Sequence, residues 1–515
     1  MNMASLPRAH LAADLERRAL EVPARTGLFS SDGQSWTYAE LDAAANAVSA
    51  SLSALGIGKG DRVATYLRNG AELALLLFGA WKLGAVPVSI SGLYNARELQ
   101  QSLTKTEPVL LITDDHDPEA VASLESAPPV RRFADLPAAD GGWEPAELAD
   151  DDETAILFTG GTTGMPKAVS VTYGGIRASL ERLASVSKGR PGPYDHAPDG
   201  AAPNVIALPL FHSGGQHTLL FALHVGRPAV LVERFDVATF ARLQAKHRFD
   251  NLFLLPTMLY DLVHADEPPD LSSVRSVLIA GQALSIHLRR AFEKRYEIPI
   301  VMNYGSTEIG HVAGWTAAQM KAGLWKPGSA GIVYGGVELE IRDDDGNALP
   351  VGEAGEICVH FTMAKEYVDD PDATSELVRD GWVHSGDIGY VDEDNVLFLV
   401  GRKRDMIKCG GFQIWPEEIE EELRAHPLVR DVRIVGVPHE RLGEIPRAVV
   451  VREPGDLSDD ELADALVAHA RERLAHFKAP REVRFVEELP RSEAGKVQRH
   501  ALQDPAGTAP TGAAS

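Results

Sequence analysis

Cysteine is almost missing from this chain of 515 residues: Cys358 and Cys409 are its only two. They lie far apart without metal-ligand spacing, neither stands in a nucleophile pattern, and so few thiols suit a reducing cytoplasm, the expected compartment. Positive charge is also scarce. The 50 Lys and Arg face 74 Asp and Glu, a formal net charge of −24, which argues against nucleic acid or an anionic membrane as the main partner. Any anionic substrate must be met by local positive charge. Long apolar runs are absent too: the most apolar stretch, Leu73 to Phe78, soon meets Gly79, Lys82 and Gly84, far short of a bilayer span. The first residues mix charge with alanine and carry no continuous apolar core, so no signal peptide is expected.

What is present is ordinary for a globular protein: 44% hydrophobic and 24% charged residues. A chain this long exceeds what one core organises, so two or more domains are expected. One stretch stands out. The apolar run Ala155-Ile156-Leu157-Phe158 breaks into Thr159-Gly160-Gly161-Thr162-Thr163-Gly164-Met165-Pro166-Lys167. A strand that opens into glycines, hydroxyls and a lysine reads as an anion-binding loop, because glycine frees backbone N–H groups to turn towards phosphate and lysine adds a mobile charge. The expected ligand is a polyphosphate. Met165-Pro166 between the last glycine and Lys167 sets the loop apart from the Gly-Lys-Ser/Thr type.

Along the chain, Thr37 and Glu40 form a capping-box pair ahead of a helix. Asp61 to Leu67 reads as a strand, Ala71 to Gly84 as a helix and Ala85 to Ile90 as a strand, which predicts a parallel sheet. Val109 to Thr113 and Ala155 to Phe158 continue it. Lys188 to Pro203 reads as a surface loop. Val205 to Leu210, Ala229 to Val232 and Val274 to Ala280 are further strands, the last ending at Gly281, where open α/β sheets place ligands. From about 325 to 400 short alternating runs predict a β-rich subdomain, with Asp343-Asp344-Asp345-Gly346 as a solvated hairpin turn. After Gly401-Arg402-Lys403-Arg404-Asp405, a helix opens at Pro416, strands run over Val429 to Val437 and Ala448 to Arg452, and a helix over Asp459 to Leu474. The boundaries expected are a large N-terminal domain over 1–403, a small α+β domain over 404–503 and a disordered tail over 504–515.

The glycine-threonine loop closely resembles the signature loop of the adenylate-forming, AMP-binding superfamily: acyl-CoA and aryl-CoA synthetases, peptide-synthetase adenylation domains and beetle luciferases. The resemblance continues in order through Tyr304-Gly305-Ser306-Thr307-Glu308, Ser385-Gly386-Asp387, Gly401-Arg402-Lys403-Arg404-Asp405 and Pro490-Arg491-Ser492-Glu493-Ala494-Gly495-Lys496. Gly160 stands where Ser or Thr is common, and Ala168 where Gly is common. The fold class implied is α/β, with layered sheets in the large domain and a mobile C-terminal domain.

The resemblance also implies roles. Thr159, Gly161, Thr162, Thr163, Gly164 and Lys167 would hold the β- and γ-phosphates of ATP. Thr307 would contact the α-phosphate, and Glu308 would bind Mg²⁺ as a hard oxygen ligand. Asp387 and Arg402 would hold the ribose, with Tyr304 as a ring for adenine to stack on. Gly281, Gln282, Ala283 and Asn303 would line the other side of the adenine, and Gly305 and Ser306 complete the motif. His212, Gly281, Gly305 and Gly310 would border the acyl pocket. Arg404 would be the hinge about which the small domain turns, first presenting Lys496 for adenylation and then Gly410, Gly411 and Phe412 as the path for coenzyme A, with Lys408 assisting. The reaction expected is ATP-dependent ligation of a small-molecule acid to coenzyme A through an acyl-adenylate. Three alternatives stay open: an ATP-dependent diazotase activating nitrite for an aryl amine, a stand-alone enzyme loading a carrier protein, and a non-catalytic nucleotide sensor.

Overall fold

The computed structural model of the protein describes residues 10–503 apart from 115, 140–141, 160–165, 189–196, 198–199, 282–283, 361–362 and 492–496. The helix Tyr38–Ala54 starts where the capping pair predicts: Thr37 Oγ1 accepts from the Glu40 N–H at 3.2 Å, and the Glu40 carboxylate accepts from the Thr37 N–H at 2.8 Å. Beyond it, strand Arg62–Tyr66, helix Ala71–Leu83 and strand Val86–Ser89 form a parallel unit. The apolar run Leu73 to Phe78 belongs to that helix, and Leu73, Leu76, Leu77, Phe78 and Trp81 are all buried. A helix apolar on every side is one packed on every side. Each such side chain contributes roughly 1.5–3 kcal/mol of hydrophobic stabilisation.

Seven strands make the first sheet, in the order Ala364–Tyr367, Lys167–Thr172, Glu153–Thr159, Val86–Ser89, Arg62–Tyr66, Leu110–Thr113 and Val130–Arg132. A second sheet begins with the parallel strands Asn251–Leu254, Ser276–Ile279 and Ile300–Ser306. It then turns antiparallel at Gly310–Gly314 and continues through Ser329–Val333, Val396–Arg402, Trp382–Val391, Gly355–His360 and Glu338–Arg342. The strand-rich stretch expected near 325–400 is therefore an extension of this sheet, because Ser329–Val333 pairs with Gly310–Gly314, while Ala364–Tyr367 crosses to the edge of the first sheet. A third, four-stranded sheet joins Ser35–Thr37, Thr26–Ser30, Ala229–Leu231 and Asn204–Ile206.

A last sheet stands apart, built from Ile407–Cys409, Phe412–Ile414, Val429–His439, Gly443–Arg452 and Glu482–Phe485. Helices Pro416–Arg424 and Asp459–Arg473 accompany it, and its core, from Ile407 through Ile419, Val432, Val450 and Leu466 to Leu502, draws on no described residue before Ile407. This is a smaller C-terminal domain. It meets the rest of the chain where the Glu421 carboxylate accepts from the Ile286 N–H at 3.2 Å, at the N-terminus of helix Ile286–Tyr296. No helix among the described residues is long and apolar enough to cross a membrane. Both cysteines are free and buried, and burial pushes the Cys358 thiol up to about 12, which leaves it inert.

Candidate active site

The strands Glu153–Thr159 and Lys167–Thr172 run antiparallel with Thr159 opposite Lys167, so the loop between them is closed at its base. Gly161, Thr162, Thr163 and Gly164 lie outside the described residues, as do Gln282, Ala283 and Lys496. The Lys167 ammonium sits 4.4 Å from the ring centre of Tyr367, a cation–π contact, and the Tyr367 hydroxyl donates to Glu308 Oε1 at 3.2 Å. Tyr367 thus ties the phosphate-loop lysine to the carboxylate expected at the metal. Sequence reading missed it, because its only local signal is a place on a short strand. What brings it here is the pairing of Tyr367 with Val169 across the sheet edge.

The Thr307-Glu308-Ile309 segment is the tip of a hairpin, with Ser306 opposite Gly310. Ser306 Oγ accepts from the N–H groups of Glu308 (3.2 Å) and Ile309 (3.4 Å). A Cβ on Gly305 would come within 2.0 Å of the Gly310 carbonyl oxygen, so glycine is required where the two strands close up. Thr307 Oγ1 lies 3.0 Å from Ser213 Oγ, the first residue of helix Ser213–Val225, whose N-cap is His212. Helix and hairpin thus meet at Thr307. Among the described residues no three His, Cys, Asp or Glu side chains gather as a metal cage. A Mg²⁺ held by one protein carboxylate, phosphate oxygens and water would fit this donor set, with Glu308 as the carboxylate expected to hold it.

Asp387 and Arg402 face each other across neighbouring strands. Arg402 Nε lies 2.9 Å from Asp387 Oδ1, and the Tyr304 hydroxyl donates to Oδ2 at 2.8 Å. The carboxylate is thereby aimed and anchored, and each oxygen keeps lone-pair capacity for further donors. The Tyr304 ring is buried, and its hydroxyl is held well above the usual tyrosine range by burial and then by Asp387, so it stays a donor. Gly281 follows strand Ser276–Ile279 in a left-handed conformation at φ 80°.

Behind the hairpin lies a polar cluster that sequence reading did not single out beyond Asn303. Asn303 Nδ2 donates to the Tyr334 hydroxyl at 3.1 Å, and its Oδ1 meets His311 Nδ1 at 3.0 Å. The His311 ring lies edge-to-face with His217, 5.4 Å between centres, and Arg182 Nη1 donates to the His311 carbonyl at 2.7 Å. Burial lowers His217 to about 4, and burial followed by the His217 neighbour lowers His311 to about 3. Both imidazoles are neutral in the folded protein at pH 7. As pH falls below the ordinary histidine value of 6.5, the unfolded chain takes up protons that the folded one refuses, so stability falls with pH. For His217 the window runs from 6.5 to about 4, at about 1.4 kcal/mol per pH unit for one buried histidine. The expected result is that His217→Gln flattens the acid limb of a denaturation midpoint measured against pH. An unchanged slope would mean that His217 charges freely in the folded state.

In the C-terminal domain, Gly410 and Gly411 are the two residues of a hairpin turn joining Cys409 to Phe412, with φ 58° and 90°. A two-residue hairpin with both φ positive needs this pair on backbone grounds alone. Lys408 is exposed and its N–H donates to Glu444 at 2.9 Å, while the half-exposed Phe412 stacks on Phe477 at 4.3 Å. Arg404 lies in the single turn Lys403–Asp405, between strands Val396–Arg402 and Ile407–Cys409. The ends of the Lys496 loop are held by the Arg491–Val497 bridge and by Arg499, which pairs with Glu417 (2.9 Å), Glu420 (2.9 Å) and Asp405 (3.4 Å).

A family model described as AMP-binding enzyme matches residues 15–368, and one described as AMP-binding enzyme C-terminal domain matches 418–496. A 4-coumarate–CoA ligase 3 of Oryza sativa subsp. japonica is 31% identical, covering 94% of this chain and 90% of its own length. ATP-bound MatB from Rhodopseudomonas palustris superposes with a TM-score of 0.86 at 27% identity, over 96% of this chain and 98% of that one. The o-succinylbenzoate CoA synthetase MenE from Bacillus subtilis, in complex with the acyl-adenylate OSB-AMP, gives 0.82 at 28% identity, again over 96% and 98%.

Proposed function

Since the chain belongs to the AMP-binding enzyme family and is an AMP-forming acid–CoA ligase, we propose a two-step reaction in which its residues first activate an aryl acid as the acyl-adenylate and then pass the acyl group to coenzyme A. The observation that carries this reading is the Lys167–Tyr367–Glu308 link, which joins the loop suited to phosphate to the hairpin that carries Thr307. Lys167 neutralises phosphate charge. Thr307, oriented by Ser213, donates to the α-phosphate. Asp387, aimed by Arg402 and Tyr304, accepts from the ribose hydroxyls. Mg²⁺, when bound at Glu308, supplies charge neutralisation for the pyrophosphate leaving group. Lys496 enters on its loop to bridge the acid and the α-phosphate, and the turn at Arg404 then brings the Gly410-Gly411 side forward for the thiol. The domain limits 1–403 and 404–503 belong to this proposal. Cysteine usage supports a cytoplasmic setting.

An aryl acid is favoured by the similarity to a 4-coumarate–CoA ligase along nearly the whole chain. The test is pyrophosphate release with ATP across a panel of aryl and medium-chain acids, with and without coenzyme A, with a phosphopantetheinylated carrier protein, and with nitrite plus aryl amines. Release that depends on a carboxylic acid, and thioester formation that depends on coenzyme A, is the expected result. Turnover that needs nitrite and no carboxylic acid would replace the ligase reading with a diazotase, and transfer to the carrier alone would change the acceptor.

A further inference from the structure

Two polar atoms around the Gly310-His311 segment have lost water and gained nothing in return. His217 is 6% exposed; its ring bonds the Ser213 backbone one turn earlier in its helix, and its Nε2 has no partner among the described residues. Ser179 is 2% exposed, its Oγ also lacks a partner among the described residues, and that atom is 3.2 Å from where a Cβ on Gly310 would stand. A buried polar atom without a hydrogen bond costs on the order of 1–3 kcal/mol, so each such atom in a native core calls for an explanation, a bound group among them.

Hydrogen-bond bookkeeping says what that partner must bring. Asn303 gives its amide N–H to Tyr334, so its carbonyl oxygen is the acceptor for His311 Nδ1–H. The His311 proton is thereby placed on Nδ1, and its Nε2 is a lone-pair acceptor. In His217 the nitrogen bonded to the Ser213 carbonyl carries the proton, which leaves the buried Nε2 as a second acceptor. Two neutral imidazoles side by side, 5.4 Å between centres, offer lone pairs and no proton. A carboxylate or ether oxygen would be repelled there, whereas an N–H or O–H would be bound.

Position ties the cluster to the chemistry. Ser213, which touches Thr307, is one helical turn from His217, and His311 lies four residues beyond Thr307 along the same hairpin. Four residues of helix rise about 6 Å, the reach of a single aromatic ring. We propose that His217 and His311 close the far end of the acid pocket and select a ring-sized carboxylic acid bearing a hydrogen-bond-donating hydroxyl or amino group on the ring. This inference rests on the ligase reading above and narrows its substrate. The competing feature is Arg182, whose guanidinium reaches the His311 carbonyl from the neighbouring helix and would favour a second carboxylate instead.

The test uses the full-length enzyme and compares kcat/KM for pyrophosphate release between matched acids: benzoate against each hydroxy- and aminobenzoate isomer, cinnamate against each hydroxycinnamate isomer, and the corresponding benzene dicarboxylates. At least one hydroxy or amino isomer is expected to exceed its unsubstituted parent by on the order of 10- to 100-fold. In His217→Leu that ratio should fall towards one, while His217→Gln, which keeps an acceptor oxygen, should preserve most of it, with ATP binding checked in both. Equal kcat/KM within every matched set of the parent enzyme overturns the inference, as does a preference that survives His217→Leu with ATP binding intact. Preference for a dicarboxylate overturns it in favour of Arg182. No pyrophosphate release with any of these ring acids would overturn the aryl-acid reading above, an outcome distinct from turnover without preference.

Discussion

Lys496→Ala is expected to slow acyl-adenylate formation by about 10²- to 10³-fold while leaving the thioester step close to the parental rate. The carboxylate of the acid and the α-phosphate repel each other until a cation stands between them, and that need is greatest in the transition state. An ammonium on the Ser492-Glu493-Ala494-Gly495 loop can meet it, because the backbone on either side is held by the Arg491–Val497 bridge and by Arg499. If the small domain turns away before the thiol attacks, as proposed above, the lysine has no part in the second half-reaction. Pyrophosphate release reports the first step, and conversion of chemically prepared acyl-adenylate with coenzyme A reports the second. Equal loss in both would rule out alternation of the small domain, and no loss in either would return Lys496 to the solvated surface.

Asp387→Ala should weaken ATP and AMP binding by on the order of 10- to 100-fold, the equivalent of about 1.5–3 kcal/mol for charge-assisted hydrogen bonds. The structure adds a second expectation. The carboxylate is the partner of both Arg402 and the buried Tyr304 hydroxyl, so alanine leaves a guanidinium and a buried donor unmatched and should lower the melting temperature of the unliganded protein as well. Asp387→Asn, which keeps the shape and one carbonyl oxygen, should lose less on both counts. Titration calorimetry with AMP alongside thermal unfolding separates the two effects. Unchanged nucleotide affinity in Asp387→Ala would place the sugar elsewhere.

Local signals were dependable where a residue's role is set by its near neighbours in the chain. Thr37 and Glu40 cap the helix they predict because the two groups lie three residues apart. The apolar and β-branched runs at Arg62–Tyr66 and Val86–Ser89 became adjacent parallel strands around a buried helix. The acidic triplet at Asp343 is a turn in which Asp343 accepts from the N–H groups of Asp345 and Asn347. By contrast, the alternation near 325–400 predicts a β-rich subdomain but not its attachment, since nothing in it states that Ser329–Val333 pairs with Gly310–Gly314 and so continues the larger sheet. Edge pairing depends on backbone groups that every residue carries and leaves little compositional trace.

The amino-acid sequence by itself determined the family, the α/β class and the ordered motifs from Thr159 to Lys496, because those motifs are short runs of particular side chains that can be read without the fold. Tertiary structure decided what those motifs face. Tyr367 reaches Lys167 and Glu308 across a sheet edge 200 residues downstream of the loop, Ser213 meets Thr307 from another helix, and His217 meets His311 over nearly a hundred positions. The physical reason is that an orphaned lone pair is a property of everything packed around it: the sequence names a histidine, but only the folded chain removes its water and withholds a partner.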